Sequence, residues 1–404
     1  MTTPVRTGPP HDRPTVVGRT SSPVELLSRP REVPSDSAAA ALLSLDLGPA
    51  RRFVDDATDA DVTRALSRGR RRDLHDFAAL LSPAATARIE ELAVAARDAT
   101  LQRFGRARTL FAPLYLSNEC VSVCTYCGFS AGNEVARRTL TVDEVRSEVT
   151  ELASRGFRHV LLVAGEHARI VSKDYLVECV AAAAETMASV SVEVQVWDEP
   201  TYVRLVNAGA DGVVVYQEAY DRDTYAAVHL LGKKRNYEWR LAAPDRAAAA
   251  GARKLGLGAL LGLHPDWRAE ALAVAAHARE LMHRWWRAEV SVAVPRLRPA
   301  AGGYEPVDPV DDRSFTQLIC ALRLFLPDAG ITLSTREPAP LRDALVPLGV
   351  TTLSAGSHTE PGGYASESDA EPQFEISDTR SPAEVAAALR AGGYDPVWKD
   401  WARL

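Results

Sequence analysis

From about residue 108 the chain alternates short apolar, β-branched runs with longer stretches whose apolar positions recur at helical spacing. The runs cover 111–116, 159–164, 192–196, 212–216, 258–263, 290–294, 331–334 and 351–353. Each has the length of a strand, and each is followed by a helix or a long excursion. One helix opens at the capping box Thr141-x-x-Glu144; others begin near Lys173, Glu199, Pro244, Trp267, Asp312 and Glu337. Eight such repeats predict parallel strands closed into an α/β fold, a TIM-type (β/α)8 barrel spanning 108–357. Upstream, Ser82-Pro83 reads as a helix start. Ile89, Leu92, Val94 and Ala96 would then form its apolar face until Gly105 ends it. Residues 37–107 are therefore expected to be a helical region packed on the outside or bottom of the barrel. Residues 1–36, rich in Pro, Arg, Ser and Thr, predict a disordered leader. Residues 358–404 predict a loop-rich extension packed on the barrel, with a helix from Ser381-Pro382 and an aromatic tail, Trp398-Lys399-Asp400-Trp401.

Composition narrows the class of function. With 46% hydrophobic and 25% charged residues, 404 residues are ordinary globular material. A net charge of -6 carries no nucleic-acid footprint, and the run Arg68-Gly69-Arg70-Arg71-Arg72, followed by Asp73 and Asp76, reads as a solvated helix end. No stretch of about 18 apolar residues predicts a membrane span, and the first residues lack a secretory apolar core. Five cysteines are too few and odd-numbered for a disulfide framework, so a reducing, cytoplasmic setting is expected.

Three of those cysteines set the chemistry. Cys120, Cys124 and Cys127 form a C-x3-C-x2-C run after the first predicted strand. Clustered thiolates suit zinc, copper(I) or iron–sulfur iron. A structural zinc site normally closes with four ligands, and Cys179 and Cys320 are isolated. Three ligands on a [4Fe–4S] cube would leave one iron open. Polar groups gather at the same end of the other strands: Gly165-Glu166-His167, Gln195, Tyr216-Gln217-Glu218, Arg296 and Arg298, Thr335-Arg336-Glu337, and Ser354-Ala355-Gly356-Ser357. In a (β/α)8 fold that is the reactive end. Glu166 is placed to hold an ammonium group. Glu218 suits either a site or a buried salt bridge, and Arg336 either grips a carboxylate or pairs with Glu337. His167, His229 and His264 read as loop or core histidines. The glycines of the stretch from Gly256 to Gly262 are spaced wrongly for a dinucleotide fold and are expected to let a ligand approach the backbone.

The cysteine spacing resembles that of radical S-adenosylmethionine enzymes, which implies that S-adenosylmethionine chelates the open iron. The whole chain from about residue 75 resembles the 2-iminoacetate synthases (tyrosine lyases) of bacterial thiamine biosynthesis. The likeness rests on PLYLSN-x-C-x3-CTYCGFS, LLV-x-GEH, GVVVYQEAY, LGKK, WRL-x-x-PDR, GLGALLGL, PRLRP, LSTRE, SAGSHTEPGGY and PVWKDW. It implies that Cys120, Cys124 and Cys127 ligate the [4Fe–4S] cluster, with Tyr126 flanking it. Glu166 would contact the amino group of S-adenosylmethionine, while Gln217, Glu218 and Arg240 would contact its ribose or carboxylate. Tyr115, Arg336 and Ser354 would hold the amino-acid moiety of L-tyrosine. The implied products are 2-iminoacetate and p-cresol, alongside methionine and 5′-deoxyadenosine. A flavodoxin or ferredoxin would donate electrons and a thiazole synthase would receive the imine. Two rivals remain at this point: a radical tryptophan lyase making 3-methyl-2-indolic acid, and a non-catalytic iron–sulfur or zinc module.

Overall fold

Eight parallel strands close into a barrel: β1 (Ala107–Ser117), β2 (His159–Ala164), β3 (Ser189–Glu193), β4 (Gly212–Glu218), β5 (Lys254–Ala259), β6 (Glu289–Ala293), β7 (Gly330–Leu333) and β8 (Thr352–Ser354). Pairing of Thr109 with Thr352 and of Phe111 with Ser354 joins β1 to β8 and seals the ring. This computed structural model describes residues 33–399, which lie within one compact unit. The leader expected over 1–36 therefore falls outside the described residues, 33–36 apart, as do Asp400 and Trp401 of the aromatic tail.

The period of two along each strand sorts side chains between two destinations. In β1, Leu110, Ala112, Leu114 and Leu116 are buried in the main core, whereas Phe111, Pro113 and Tyr115 line a cavity in the barrel. In β3, Val190 and Val192 join the core and Glu193 faces the cavity. A one-residue error of register would exchange these faces. All eight expected strands are present, but two are displaced. The third ends at Glu193 rather than at 196, and the fifth ends at Ala259 rather than at 263. The expected helix starts at Lys173, Glu199 and Trp267 match the structure, and the Thr141–Glu144 capping box is formed. The glycines of β5 are required by packing. A Cβ at Gly256 would lie 2.8 Å from the Val214 side chain, and one at Gly258 would lie 1.8 Å from the carbonyl oxygen of Ala293 and 3.0 Å from the Tyr216 ring.

The N-terminal helices coat the outer helices of the barrel. Phe77 stacks on Phe325 at 4.7 Å, and buried Gln317 donates to the carbonyls of Leu80 and Ser82. Asp245 accepts from the first amides of the helix Ala38–Leu43. The continuous helix expected from Pro83 breaks at Arg88 into Pro83–Ala87 and Ile89–Phe104. Its buried stripe is Leu92, Ala96 and Thr100, and Val94 is 60% exposed, so Val94 does not belong to the apolar face. The basic run is solvated as expected except at Arg72, whose guanidinium is half-buried and donates to the carbonyls of Ala65, Leu66, Gly69 and Leu324. A ninth strand, β9 (Asp395–Val397), lies parallel to the first residues of β1, below the point where β2 begins to pair. Among the described residues no helix is long and apolar enough to cross a membrane.

Candidate active site

The cysteine loop leaves β1 and is tied down on every side. Val123 and Cys124 pair antiparallel with the short strand His229–Leu231. Below them the Tyr126 hydroxyl meets Nε2 of buried His229 at 2.8 Å. Val121 donates its amide to the carbonyl of Glu166, and a Cβ at Gly165 would sit 2.3 Å from the carbonyl oxygen of Glu119, so only glycine lets the loop close onto β2. Arg137 donates to the carbonyls of Asn118, Phe129, Ser130 and Asn133 at 2.6 to 3.1 Å. Asn133 in turn donates to those of Cys127, Gly128 and Ala301. The thiol-bearing backbone is therefore held rigid by its carbonyls, while the sulfurs make only long contacts, Cys120 to the carbonyl of Ser122 at 3.7 Å and Cys127 from Nε2 of Gln373 at 3.8 Å.

Burial pushes the Cys120 thiol up to about 11 and raises Cys124 and Cys127 as well. Thiolates here need a strong positive centre, as a metal cluster provides. Among the described residues no three Cys, His, Asp and Glu side chains gather as ligands of a single ion would. Three soft donors on one rigid loop, without a fourth, fit an iron–sulfur cube with one corner open rather than a closed zinc site.

Beside the loop lies a cavity of about 120 Å³, lined by Tyr115, Tyr126, Cys127, Glu193, Glu218, Lys234, Arg336 and Ser354 among others. Two β-bulges shape its rim, at Tyr115/Ser117 against β2 and at Tyr216/Glu218 against β5. The second leaves Glu218 at φ 72°, the one non-glycine residue with positive φ among those described. Bulges re-aim side chains, and a strained residue held by its surroundings is a mark of a functional site. Here the surroundings include Lys234, whose ammonium lies 2.8 Å from the Glu218 carboxylate, both side chains 13% exposed.

Of the residues expected at the site, Glu166 and Arg240 form a buried ion pair at 2.9 Å, and Arg240 Nε also donates to the carbonyl of Tyr216. Burial is the largest influence and opposes the Arg240 charge, but Glu166, Tyr225, Glu218 and Tyr126 together outweigh it and raise its pKa. Gln217 is buried beside them, with Nε2 3.4 Å from the carbonyl of Tyr237 and Oε1 without a protein partner. Ser122 donates to Glu166 at 3.3 Å, linking this group to the cysteine loop. Across the cavity Arg336 does not pair with Glu337, which is gripped by Arg296. The Arg336 guanidinium instead lies 3.4 Å from the centre of the Phe374 ring, and no carboxylate among the described residues is within ion-pair distance of it. Ser354 Oγ accepts from the Thr335 amide, and the Tyr115 hydroxyl donates to Oε1 of Gln373 at 2.8 Å. Gln195, expected at the reactive end, is buried outside the cavity and donates to the carbonyl of Val171.

Four contributors escaped the sequence reading. Lys234 stood inside the quoted LGKK motif without a role. Glu193 was hidden by the misplaced third strand. Gln373 and Phe374 sit in the loop-rich extension, where no periodicity marks them.

A (β/α)8 barrel with a three-cysteine loop at its reactive end defines a radical S-adenosylmethionine enzyme, and residues 114–275 match that superfamily. Residues 293–395 match the Biotin and Thiamin Synthesis associated domain. The 2-iminoacetate synthase of Escherichia coli (strain K12) is 46% identical over 358 residues, covering 88% of this chain and 94% of that protein. The chain belongs to the 2-iminoacetate synthase family. The [FeFe]-hydrogenase maturase HydG from Carboxydothermus hydrogenoformans is similar over 89% of this chain and 82% of its own, at 33% identity and a TM-score of 0.79. Methylornithine synthase (PylB) shares the fold, with a TM-score of 0.68 and 21% identity over 83% of this chain and 97% of its own.

Proposed function

We propose that this chain cleaves the Cα–Cβ bond of L-tyrosine to give 2-iminoacetate and p-cresol, supplying the thiazole moiety of thiamine. The observation that carries the reading is that Arg336, without a carboxylate partner among the described residues, and Cys127 of the cysteine loop line one cavity, in a chain nearly half identical to a 2-iminoacetate synthase along most of its length. Cys120, Cys124 and Cys127 would hold the [4Fe–4S] cluster. A cluster held there, together with bound S-adenosylmethionine, would supply the one-electron chemistry that hydrogen removal from the substrate's amine requires.

The chain's own residues do the rest. Glu166, already bonded to Ser122 and Arg240, would accept hydrogen bonds from the amino group of S-adenosylmethionine. Gln217, with Oε1 open, and Glu218 and Arg240 would fix its ribose and carboxylate. Tyr126 seals the cluster side against His229. Arg336, Ser354 and Tyr115 would orient the amino-acid end of tyrosine, the arginine fork giving about 1.5–3 kcal/mol per charged hydrogen bond. Walls of Leu161, Val163 and Leu260 keep water from the radical and the imine. Family likeness extends the reading to a flavodoxin or ferredoxin donor and to a thiazole synthase that takes up the imine. Anaerobic reconstitution, reduction and turnover with tyrosine tests the activity. p-Cresol and 5′-deoxyadenosine in step are expected; 3-methyl-2-indolic acid from tryptophan without p-cresol from tyrosine would replace the reading with its rival. Tetrahedral zinc at the cysteines would end both.

A further inference from the structure

Glu193 has no part in the assignments above, yet it sits in the wall of the cavity. It ends β3, its side chain turned inward with the odd-numbered residues of that strand. Arg336 follows β7, and in a ring of eight strands β3 and β7 are four apart in either direction. The two side chains therefore approach from opposite walls of one closed barrel, whose interior at eight strands is wide enough for side chains or one small ligand. Of the other two carboxylates lining the cavity, Glu218 is taken by Lys234 and Glu337 by Arg296. Among the described residues, by contrast, no hydrogen-bond or ion-pair partner reaches the Glu193 carboxyl. Aromatic and aliphatic side chains, Tyr115, Leu161, Val163 and Tyr216, line the cavity with it.

We infer that Glu193 is the residue that recognises the para-hydroxyl of the substrate, accepting its hydrogen bond while Arg336 holds the carboxylate at the opposite wall. This rests on the tyrosine reading and deepens it. An amino acid with a polar group at each end then lies along the barrel diameter, its ring between apolar walls. A carboxyl built to receive a hydroxyl rejects the analogue that lacks it, because the buried acceptor is left unpaired. Phenylalanine is the substrate this geometry excludes.

Charge supports the role. Burial pushes the Glu193 carboxyl up to about 7; Glu218 adds to the rise, while Arg336, Lys234 and Arg240 oppose it. Tyr115 and Tyr216 also face it, and burial first, then Glu193, raises both phenols. The anion, the stronger acceptor, thus forms as pH passes neutrality.

The test compares tyrosine and phenylalanine binding to reconstituted holoenzyme, with S-adenosylmethionine present and no reductant, in wild type, Glu193→Gln and Glu193→Leu. Glutamine keeps shape and an acceptor oxygen, so it guards against a mere folding defect. Wild type should prefer tyrosine by about 100-fold or more, Gln by about 10-fold less, and Leu scarcely at all. The wild-type preference should rise from about pH 6 to about pH 8 and stay flat in Glu193→Gln. A leucine variant that keeps the full preference, while the wild type still yields p-cresol, overturns this inference alone. A wild type with no preference for tyrosine overturns the tyrosine reading and the inference with it.

Discussion

Arg336 carries the substrate side of the site because it is charged, enclosed and without a carboxylate partner. Burial pulls its pKa down from the arginine range, with Tyr115 and Tyr216 opposing that fall. Its plane is set by Phe374 at 3.4 Å, a stacking that favours a flat guanidinium over an ammonium. Arg336→Lys keeps the charge and loses both the fork and the stacking. The expected result is a loss of about 10- to 100-fold in kcat/KM for p-cresol, with 5′-deoxyadenosine formed in excess over p-cresol. Quantifying both products in one assay checks it, and unchanged coupling would remove Arg336 from the site. The sequence placed this residue at a strand end beside Glu337 but left two partners open. Only the position of Arg296, which grips Glu337 from β6's side, frees Arg336 for a ligand.

Single elements act as clamps on the reactive end. Arg137 lies in the segment between the cysteine loop and the helix Val142–Ser154 and binds four carbonyls of the loop. Arg137→Ala should leave the barrel folded and lower the iron and sulfide bound per chain after reconstitution, read by metal analysis alongside an unchanged far-ultraviolet spectrum. The helix Trp267–Arg284 clamps the segment after β4 in the same way. Glu270 accepts from the amides of Tyr220 and Asp221, and His277 Nδ1 meets the Tyr220 hydroxyl at 2.9 Å. Burial holds His277 below the usual 6.5 of a histidine. The unfolded chain then takes up a proton that the folded chain refuses, so stability is full above about pH 6.5 and falls as pH drops further, by up to about 1.4 kcal/mol per unit. Subtracting the denaturation curve of His277→Asn from that of wild type isolates this slope from the opposing effect of Glu270, whose pKa burial raises. Such clamps explain what was legible. Strand existence follows from local periodicity, so all eight strands could be read. The exact end of β3 depends on which of Glu193 and Gln195 faces the cavity, and that is decided by neighbours far away in sequence. The bulge at Glu218 is hidden for the same reason, since it exists only against β5.

At the scale of the molecule, the segment after β8 is a roof over the site and not only a coat on the barrel. The amide of Gly128 donates to the carbonyl of Gln373, and a Cβ there would lie 2.6 Å from the carbonyl oxygen of Pro372, so roof and cysteine loop meet backbone to backbone. Gln373 and Phe374 reach Tyr115 and Arg336 beneath. What holds the roof is a buried latch: Asp378 pairs with Arg342, which also donates to the carbonyl of Ser354 on β8, and Arg380 closes on Asp378 from outside. Asp378 is 1% exposed and Arg342 fully buried. A latch of this kind is costly to break from one side, because the surviving charge stays buried without a partner. Asp378→Ala should therefore lose about 3–5 kcal/mol of stability in denaturant unfolding, whereas the paired replacement Arg342→Met with Asp378→Leu should recover most of it. The functional consequence separates the roof from the fold. In the paired variant the barrel stands but the charge that sets the height of residues 373–374 is gone. Deuterium uptake over that segment should rise, and 5′-deoxyadenosine should form in excess over p-cresol as tyrosine is held less closely. If uptake and coupling in the paired variant match the wild type, the extension is only packing, and the roof is held by backbone bonds such as those to Pro299, Thr335, Thr359 and Gly128.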